Sequence, residues 1–187
     1  AVSWRVTPKQ QPERTKFKVP AVDAPNVNGA RLFGFVPGTV GDAQGAADVS
    51  ALRSAVEAGS VAALYVFDPG PDGSIGDTSW IVAARQAGKL PLLVVQGVLM
   101  TDLVRAADFV LPGASFVEKD ASYTNDAGVL QGTSKAINAP GDAMEDWQVL
   151  VNLAAALGVS FQYTASAQVR ADIAARMAGV DAVQGLP

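Results

Sequence analysis

The 187-residue sequence contains no cysteine and no histidine. These absences exclude cysteine-ligated zinc, iron–sulfur clusters, cysteine nucleophiles, Ser-His-Asp triads and histidine acid–base catalysis within this chain. Aromatic residues make up only 7% of the sequence, so we expect a core of small aliphatic side chains. The longest apolar run, residues 90–100, is shorter than the roughly 20 residues that a membrane helix needs. We expect no membrane insertion and no signal peptide.

Positive charge is concentrated at the start of the chain, although the formal net charge is −4. Residues 1–29 also hold four of the eleven prolines and show neither helical nor strand periodicity, which predicts an extended arm. The acidic remainder would repel a phosphate backbone, so the composition argues against nucleic-acid binding. We therefore divide the chain into an arm, 1–29, and an α/β domain, 30–187.

From residue 31 onward, short apolar runs alternate with amphipathic segments. Predicted strands are 31–36, 61–68, 90–97 and 108–113. Predicted helices are 49–58, capped by Asp48 and ended by Gly59; 78–86, ended by Gly88; and 101–107, capped by Thr101. This alternation predicts right-handed βαβ crossovers and a parallel, Rossmann-like sheet flanked by helices. Because its apolar run is continuous, we expect strand 61–68 to be buried on both faces.

The C-terminal third is predicted to be mainly helical. Residues 113–141 show no regular pattern. Asp142 and Glu145 match a capping box, which predicts a helix running to Leu157. Its predicted apolar face is Met144, Trp147, Leu150, Val151 and Ala154. Ser166 is predicted to cap a last helix, with Val169, Ile173 and Met177 on one face.

Two glycine-rich loops follow predicted strands. Residues 68–77 carry Gly70, Gly73 and Gly76 at the carboxyl end of a strand, where open α/β sheets bind ligands. The loop amides and the next helix N-terminus suit an anion, but the spacing matches neither a dinucleotide fingerprint nor a P-loop. The alternative, which the three aspartates of the loop favour, is a turn whose glycines only supply unusual backbone angles. Loop 37–45 would lie at the same edge, and its composition indicates only flexibility.

The third candidate site is residues 107–131, which carry four carboxylates: Asp108, Glu118, Asp120 and Asp126. Carboxylate oxygens can bind a divalent cation, and Glu118 and Asp120 are candidates for general acid–base catalysis. However, the segment lacks the ligand alternation of an EF-hand loop, and Lys119 separates two of the acids. The residue chemistry favours a structural role in which polar side chains bind backbone groups of a long loop.

The same segment resembles molybdopterin-dependent oxidoreductases. The family has an A-D-x-V-L-P strand, then a glutamate, then a T-x-x-N-x-E-G-R-x-Q pattern. The matching residues are Ala107, Asp108, Val110, Leu111, Pro112, Glu118, Asn125, Gly128 and Gln131. "NGARLFGFVPG", "VAALYVFDPGP" and "EDWQVLVNLAAALG" resemble further family segments, so the likeness extends in order over about residues 26–178.

Departures from the pattern are concentrated at polar positions. The family's Glu-Gly-Arg is Ala127-Gly128-Val129 here, its threonine is Ser122, and its N-P turn is Gly70-Pro71. Val129 therefore stands where the family has an arginine, a cationic side chain that binds phosphate well. In this respect the chain looks most like the large iron–sulfur subunit of bacterial NADH–quinone oxidoreductase, complex I.

That resemblance implies a cofactor-free scaffold domain whose iron–sulfur clusters lie in other modules. It also implies contacts with modules of the same subunit and with neighbouring complex I subunits, in the cytoplasm at the inner membrane. One alternative is part of an active molybdopterin enzyme that binds half of a pterin guanine dinucleotide, and another is a stand-alone small-molecule-binding module. The cofactor-binding positions implied, as a vestigial pocket, are Gly70, Gly73, Gly76, Thr124, Asn125 and Gln131. No catalytic or metal-binding residue is predicted.

Overall fold

A computed structural model describes residues 49–176 except 73–74 and 126–128, together with residues 13, 14, 16, 26, 29, 30 and 33. Loop 37–45, nearly all of the predicted arm 1–29, and all of the predicted strand 31–36 except Phe33 lie outside these residues and stay predictions. Phe33 itself lies in a turn after the helical residues Gly29 and Ala30, where its N–H donates to the carbonyl of Gly29 at 3.0 Å, so the structure does not support a strand at this position. None of the helices in this described part is long and apolar enough to cross a membrane.

The first half of the described chain alternates helices and strands. The elements are α1 (Val49–Glu57), β1 (Ala63–Phe67), α2 (Ser79–Gln86), β2 (Leu92–Gly97), α3 (Asp102–Arg105) and β3 (Phe109–Pro112). All six were predicted from the sequence to within two residues at each end. Gly59 and Gly88 end α1 and α2 at φ angles of +71° and +71°, in the left-handed region that favours glycine. Thr101 caps α3, where its side chain accepts from the N–H of Val104.

The three strands form a parallel sheet in the order β1-β2-β3, which confirms the predicted α/β architecture. Tyr65 of β1 lies beside Val94 of β2, which in turn lies beside Phe109 of β3. The helices α1, α2 and α3 pack on one face of this sheet. The buried core there comprises Val56, Trp80, Ile81, Ala84, Leu90, Leu93, Val95, Leu103 and Val104.

The expectation that strand 61–68 is buried on both faces is wrong. In β1, Leu64 and Val66 pack against the core, whereas Tyr65 and Phe67 keep 38% and 52% of their surface exposed. A continuous apolar run is typical of a strand whose sheet is covered by helices on both faces. In the part of the chain that the structure describes, one layer of helices covers this strand.

The sequence pattern missed a second, two-stranded sheet. β4 (Ala121–Thr124) and β5 (Leu130–Thr133) pair antiparallel, with Tyr123 beside Gln131. Each strand has only four residues, and polar side chains dominate both, so neither shows a clear period of two. A contact distant in sequence supports β4, because Asn26 accepts from the N–H of Thr124 at 2.9 Å and donates to its carbonyl at 2.8 Å.

The last two helices are α4 (Asp146–Ala156) and α5 (Ser166–Arg176). The predicted capping box of α4 is wrong: Glu145 is the N-cap, it makes no side-chain cap bond, and its carboxylate accepts from Trp147 instead. Met144 is held beside the end of β3, where Ala114 donates to its carbonyl at 2.7 Å, so the helix cannot begin at Asp142.

The predicted apolar faces of both helices also need correction. Val149 is the buried residue of α4, whereas Leu150 is 44% exposed. In α5, Arg170 and Ala174 are buried, while Val169 and Ile173 are half-buried and the side chain of Met177 lies outside the described residues. Ser166 is the first residue of α5 rather than its cap, and the side chain of Gln168 accepts from Thr164 at 2.6 Å in front of it.

Candidate functional site

The loop that joins β1 to α2 lies at the carboxyl edge of the parallel sheet. Gly70 and Gly76 have φ angles of +66° and +91°, so glycine is needed at both turns; Gly73 lies outside the described residues. The loop and α3 line a crevice of about 10 Å³, which includes Gly70, Pro71, Thr101 and Leu103. That volume accommodates about one water molecule and no nucleotide.

A wider groove of about 370 Å³ runs along the outer side of α2. Its volume falls within the range of about 300–1,000 Å³ that small-molecule sites occupy. Three carboxylates, Asp72, Asp77 and Asp102, lie among its lining residues. None of the described residues that line it is a lysine or arginine. The groove is therefore large enough for a ligand but carries the wrong charge for a phosphate.

The N-terminus of α2 already holds a carboxylate. Oδ1 of Asp77 accepts from the backbone N–H of Ser79 at 2.9 Å. Hydrogen bonds from the side chain and the backbone of Ser79 lower the pKa of Asp77, so the carboxylate stays ionised at neutral pH. An anionic ligand at this helix end would have to replace the aspartate, which fills the position that the sequence suggested for a phosphate.

Four polar side chains form a hydrogen-bonded chain from β1 across the end of β2 to α4. The hydroxyl of Tyr65 donates to Oε1 of Gln96, and Nε2 of Gln96 donates to Oδ1 of Asp146 at 2.8 Å. Oδ2 of Asp146 accepts from Nζ of Lys119 at 2.5 Å. Gln96 is completely buried. Burial, and to a lesser degree the charge of Asp146, raises the pKa of Tyr65 above 10.0, its ordinary value.

The sequence analysis did not identify any of these four hydrogen-bonded side chains as part of a site. The available signal was Gln96, an amide within an otherwise apolar strand, because a buried polar side chain requires a partner. The partner Asp146 is 50 positions away, and no local spacing connects the two. Each of the four side chains is hydrogen-bonded to another of the four. The arrangement therefore connects structural elements and does not present a reactive atom.

The second group of predicted site residues lies on the β4–β5 hairpin. Asn125 closes its turn: its N–H donates to the carbonyl of Val129 at 3.0 Å, and its Oδ1 accepts from the N–H of Val129 at 2.9 Å. Thr124 is held by Asn26, and Gln131 is exposed on β5. No described residue of the hairpin is among those that line the crevice or the groove. Neither cavity therefore joins the two predicted groups.

The structural alternative predicted that Glu118, Asn125 and Gln131 bind backbone groups, and Glu118 and Asn125 do so. The carboxylates of Asp108 and Asp120 also bind backbone groups. Asp108 accepts from the N–H of Leu93 at 2.8 Å, and Glu118 accepts from Ser115 at 2.8 Å. Asp120 accepts from the N–H of Lys135 at 2.8 Å, whereas Asp126 lies outside the described residues. Within the described ranges no three acidic residues come together as a group that could hold a metal ion.

Several known proteins are similar to this chain in sequence. An alpha subunit of F420-dependent formate dehydrogenase from Methanocaldococcus jannaschii is 39% identical over 95 residues, 51% of this chain and 14% of that protein. Formate dehydrogenase 1 subunit alpha from Methanococcus maripaludis is 34% identical over 116 residues, 61% of this chain and 17% of its own length. The NADPH-Fe(3+) oxidoreductase subunit alpha of Geobacter sulfurreducens is 34% identical over 106 residues, 57% of this chain and 12% of that one.

The fold also has a solved counterpart. Acetylene hydratase from Pelobacter acetylenicus matches 75% of this chain and 20% of its own, with a TM-score of 0.57 and 17% identity, which shows a shared fold. The chain spans less than a fifth of the length of the three curated relatives. The family model for molybdopterin oxidoreductases matches residues 26–156, well over half of the sequence. The chain therefore belongs to the molybdopterin oxidoreductase family.

Proposed function

We propose that this chain is a cofactor-free structural domain of a molybdopterin oxidoreductase-type subunit, of the kind found in the large iron–sulfur subunit of NADH–quinone oxidoreductase. One observation carries the proposal: the polar groups at the carboxyl edge of the sheet are bound to other groups of the domain. Asp77 occupies the N-terminus of α2, and Gln96 and Asp146 bind each other. A cofactor site needs precisely placed polar groups that contact the ligand.

The phosphates of a pterin dinucleotide fit poorly at this edge. The groove beside α2 is lined by three aspartates and by no described lysine or arginine. Val129 stands where the resemblance expects an arginine, and its N–H is bound by Asn125. Because no described residue that lines the groove is a cation and Val129 supplies none at the hairpin, we assign no step of a redox reaction to these sites.

In this proposal, electron transfer takes place in iron–sulfur modules outside this chain. The chain supports those modules and contacts neighbouring subunits in the cytoplasm, peripheral to the inner membrane. It inserts into no membrane and binds no nucleic acid. Support comes from the absence of cysteine and histidine and from the acidic composition.

A second candidate function is binding of half of a pterin guanine dinucleotide within an active enzyme. The groove of about 370 Å³ beside Gly76 favours it, because this volume suits a nucleotide-sized ligand. The sequence identity of 34% and 39% to two formate dehydrogenase alpha subunits is a further argument for this alternative. The contact residues would then include Gly70, Gly76, Thr124 and Asn125.

Calorimetric titration of the chain with guanosine diphosphate separates the two functions. We expect no saturable binding in the submillimolar range for the wild type. Submillimolar binding that Asn125→Ala weakens would overturn the scaffold proposal. Asn125→Asp is the matched variant, since it keeps the oxygen that accepts from Val129 at 2.9 Å and therefore keeps the hairpin closed. Loss of binding in Asn125→Ala alone would then result from opening of the hairpin. Loss of binding in both variants would show that Asn125 contacts the ligand directly.

A further inference from the structure

The groove along the outer side of α2 has the shape of a docking site for an extended segment of polypeptide. We call it the α2 groove. Its helical lining consists of Ser79, Val82, Ala83 and Gln86, whose spacing places them in one stripe along the helix. The stripe is about 10 Å long, which is the length of about three extended residues. The groove volume of about 370 Å³ accommodates the side chains of such a segment.

The lining of the α2 groove combines negative charge with apolar surface. Asp72 and Asp77 precede α2, and Asp102 is the first residue of α3. Val82 is half-buried and Ala83 is exposed within the stripe. An occupant of matching chemistry therefore carries positive charge, some apolar surface and no carboxylate.

Two arginines next to the groove leave one of its carboxylates unpaired. Arg105 binds Asp102 at 3.0 Å. Hydrogen bonds and, to a lesser degree, the charge of Arg53 lower the pKa of Asp77. Asp72 is exposed and forms no ion pair with any residue that the structure describes. The groove thus offers Asp72 to a cation that comes from elsewhere.

Residues 1–12 of the chain (AVSWRVTPKQQP) have this matching chemistry. They include Arg5 and Lys9 and no acidic residue, whereas the rest of the chain is net acidic. Trp4 supplies a large apolar side chain next to the first of these cations. The two prolines of the segment fix their own φ angles and favour an extended conformation of the residues before them, which reduces the entropy lost on docking.

The segment is long enough to reach the groove. Arg14 and Lys16, which the structure describes, are exposed and form no ion pair with the aspartates of the groove, so residues 1–12 are the candidate part of the arm. Twelve extended residues span about 40 Å. A domain of 100–150 residues is roughly 35 Å across. Because the segment is part of the same chain, its effective concentration is in the millimolar range, and weak contacts suffice.

We propose that residues 1–12 dock in the α2 groove, with Arg5 and Lys9 beside the aspartates and Trp4 against the stripe of α2. The docked segment fills the space that a nucleotide-sized ligand would need, so such a ligand must displace it. The inference concerns this chain alone and does not rest on the scaffold function.

Crosslinking between introduced cysteines tests the docking, because the sequence has no native cysteine and each introduced thiol is unique. Ser3→Cys places one thiol on the segment, and Ala83→Cys places the other in the groove. Ala155→Cys is the matched control, since Ala155 is also an exposed alanine of a helix but does not line the groove. With a short bismaleimide, we expect crosslinking of Ser3→Cys to Ala83→Cys within one chain to be severalfold faster than to Ala155→Cys.

Charge variants in the Ser3→Cys/Ala83→Cys background give a second readout. Asp72→Lys should slow crosslinking severalfold, and high salt should slow it as well, because salt screens exposed charges. Asp142→Lys makes the same change of charge at an exposed position outside the groove and should leave the rate nearly unchanged. Arg5→Glu with Lys9→Glu should also slow crosslinking, and adding Asp72→Lys to this pair should restore part of the rate.

Three results would overturn the inference. They are equal rates of crosslinking to Ala83→Cys and Ala155→Cys, equal effects of Asp72→Lys and Asp142→Lys, and crosslinks that join two chains instead of two positions of one chain. Circular dichroism of each variant checks that the fold is retained. The titration with guanosine diphosphate tests the scaffold function separately, so that failure of one proposal is distinguishable from failure of the other.

Discussion

The buried side chain of Gln96 donates from Nε2 to Oδ1 of Asp146 at 2.8 Å. The other carboxylate oxygen of Asp146 accepts from Lys119 at 2.5 Å. A single carboxylate at the first position of α4 therefore connects the central strand with the loop after β3. Gln96 has no exposed surface, so in the intact protein its amide depends on Asp146 as its partner.

Asp146→Ala should lower the free energy of unfolding by about 1–3 kcal/mol, the cost of leaving a buried polar group unpaired. The affected group is the side-chain amide of Gln96. Urea denaturation monitored by circular dichroism measures the change. Asp142→Ala is the control, since Asp142 is exposed, and a surface substitution of this kind stays within about 0.5 kcal/mol of the wild type. Equal effects of the two variants would contradict the role given to Asp146.

Asp108 should contribute stability that disappears in acid. The N–H of Leu93, and then Arg85, lower the pKa of Asp108 by hydrogen bonding to its carboxylate. A lowered folded-state pKa stabilises the fold above the unfolded value of about 3.9, and this stability is lost as the pH falls through the folded-state pKa. We expect the melting temperature of Asp108→Asn to fall less steeply than that of the wild type between neutral pH and pH values near 3.

Arg85→Gln refines this test, because it removes the cation and leaves the N–H of Leu93 in place. Its acid dependence should lie between those of the wild type and Asp108→Asn. If Asp108→Asn loses stability in acid as steeply as the wild type, other carboxylates control the decrease of the melting temperature at low pH.

The parallel sheet was predictable because its determinants are local. "VAALYVFD" and "LPLLVVQG" are apolar runs of strand length, and glycine or proline closes or follows each of them. The predicted strand 108–113 begins at Asp108, but the bonds of this residue to Arg85 and Leu93 span 23 and 15 positions. Sequence periodicity predicts which residues form a strand, but it does not predict the long-range partners of a polar side chain.

The hairpin and the start of α4 were not predictable for the same reason. β4 depends on Asn26, which is 98 positions from Thr124. The segment before α4 stays extended because Met144 bonds with Ala114 and Pro112 beside β3. In both places tertiary hydrogen bonds override the local pattern, in one case creating a strand pair and in the other delaying a helix.

Thr101→Ala should destabilise the protein by about 1 kcal/mol, the usual cost of losing an N-cap side chain. Oγ1 of Thr101 accepts from the N–H of Val104 at 3.3 Å, and the residue is 5% exposed, so water cannot substitute for it. Thr101→Ser keeps the oxygen and should retain most of the stability in urea denaturation. A serine variant as unstable as the alanine variant would assign the effect to the lost methyl group instead of the cap.

The phenol of Tyr65 should stay neutral above the ordinary tyrosine range. Burial, followed by the negative charge of Asp146, raises its pKa above 10.0. Because the folded-state pKa is raised, the resulting stability is present below the unfolded value and is lost as the pH rises through the folded-state value. Subtracting the alkaline absorbance titration of Tyr65→Phe from that of the wild type isolates this phenol, and the difference curve should have its midpoint above pH 10.0.

Asp146→Asn separates the two causes of the raised pKa of Tyr65. The substitution removes the negative charge and keeps an oxygen for Gln96. The midpoint of the difference curve, measured with Tyr65→Phe in the Asp146→Asn background, should move down but remain above 10.0, because burial is the larger cause. A midpoint at or below that value would show that Tyr65 is more solvated than its hydrogen bond to Gln96 implies.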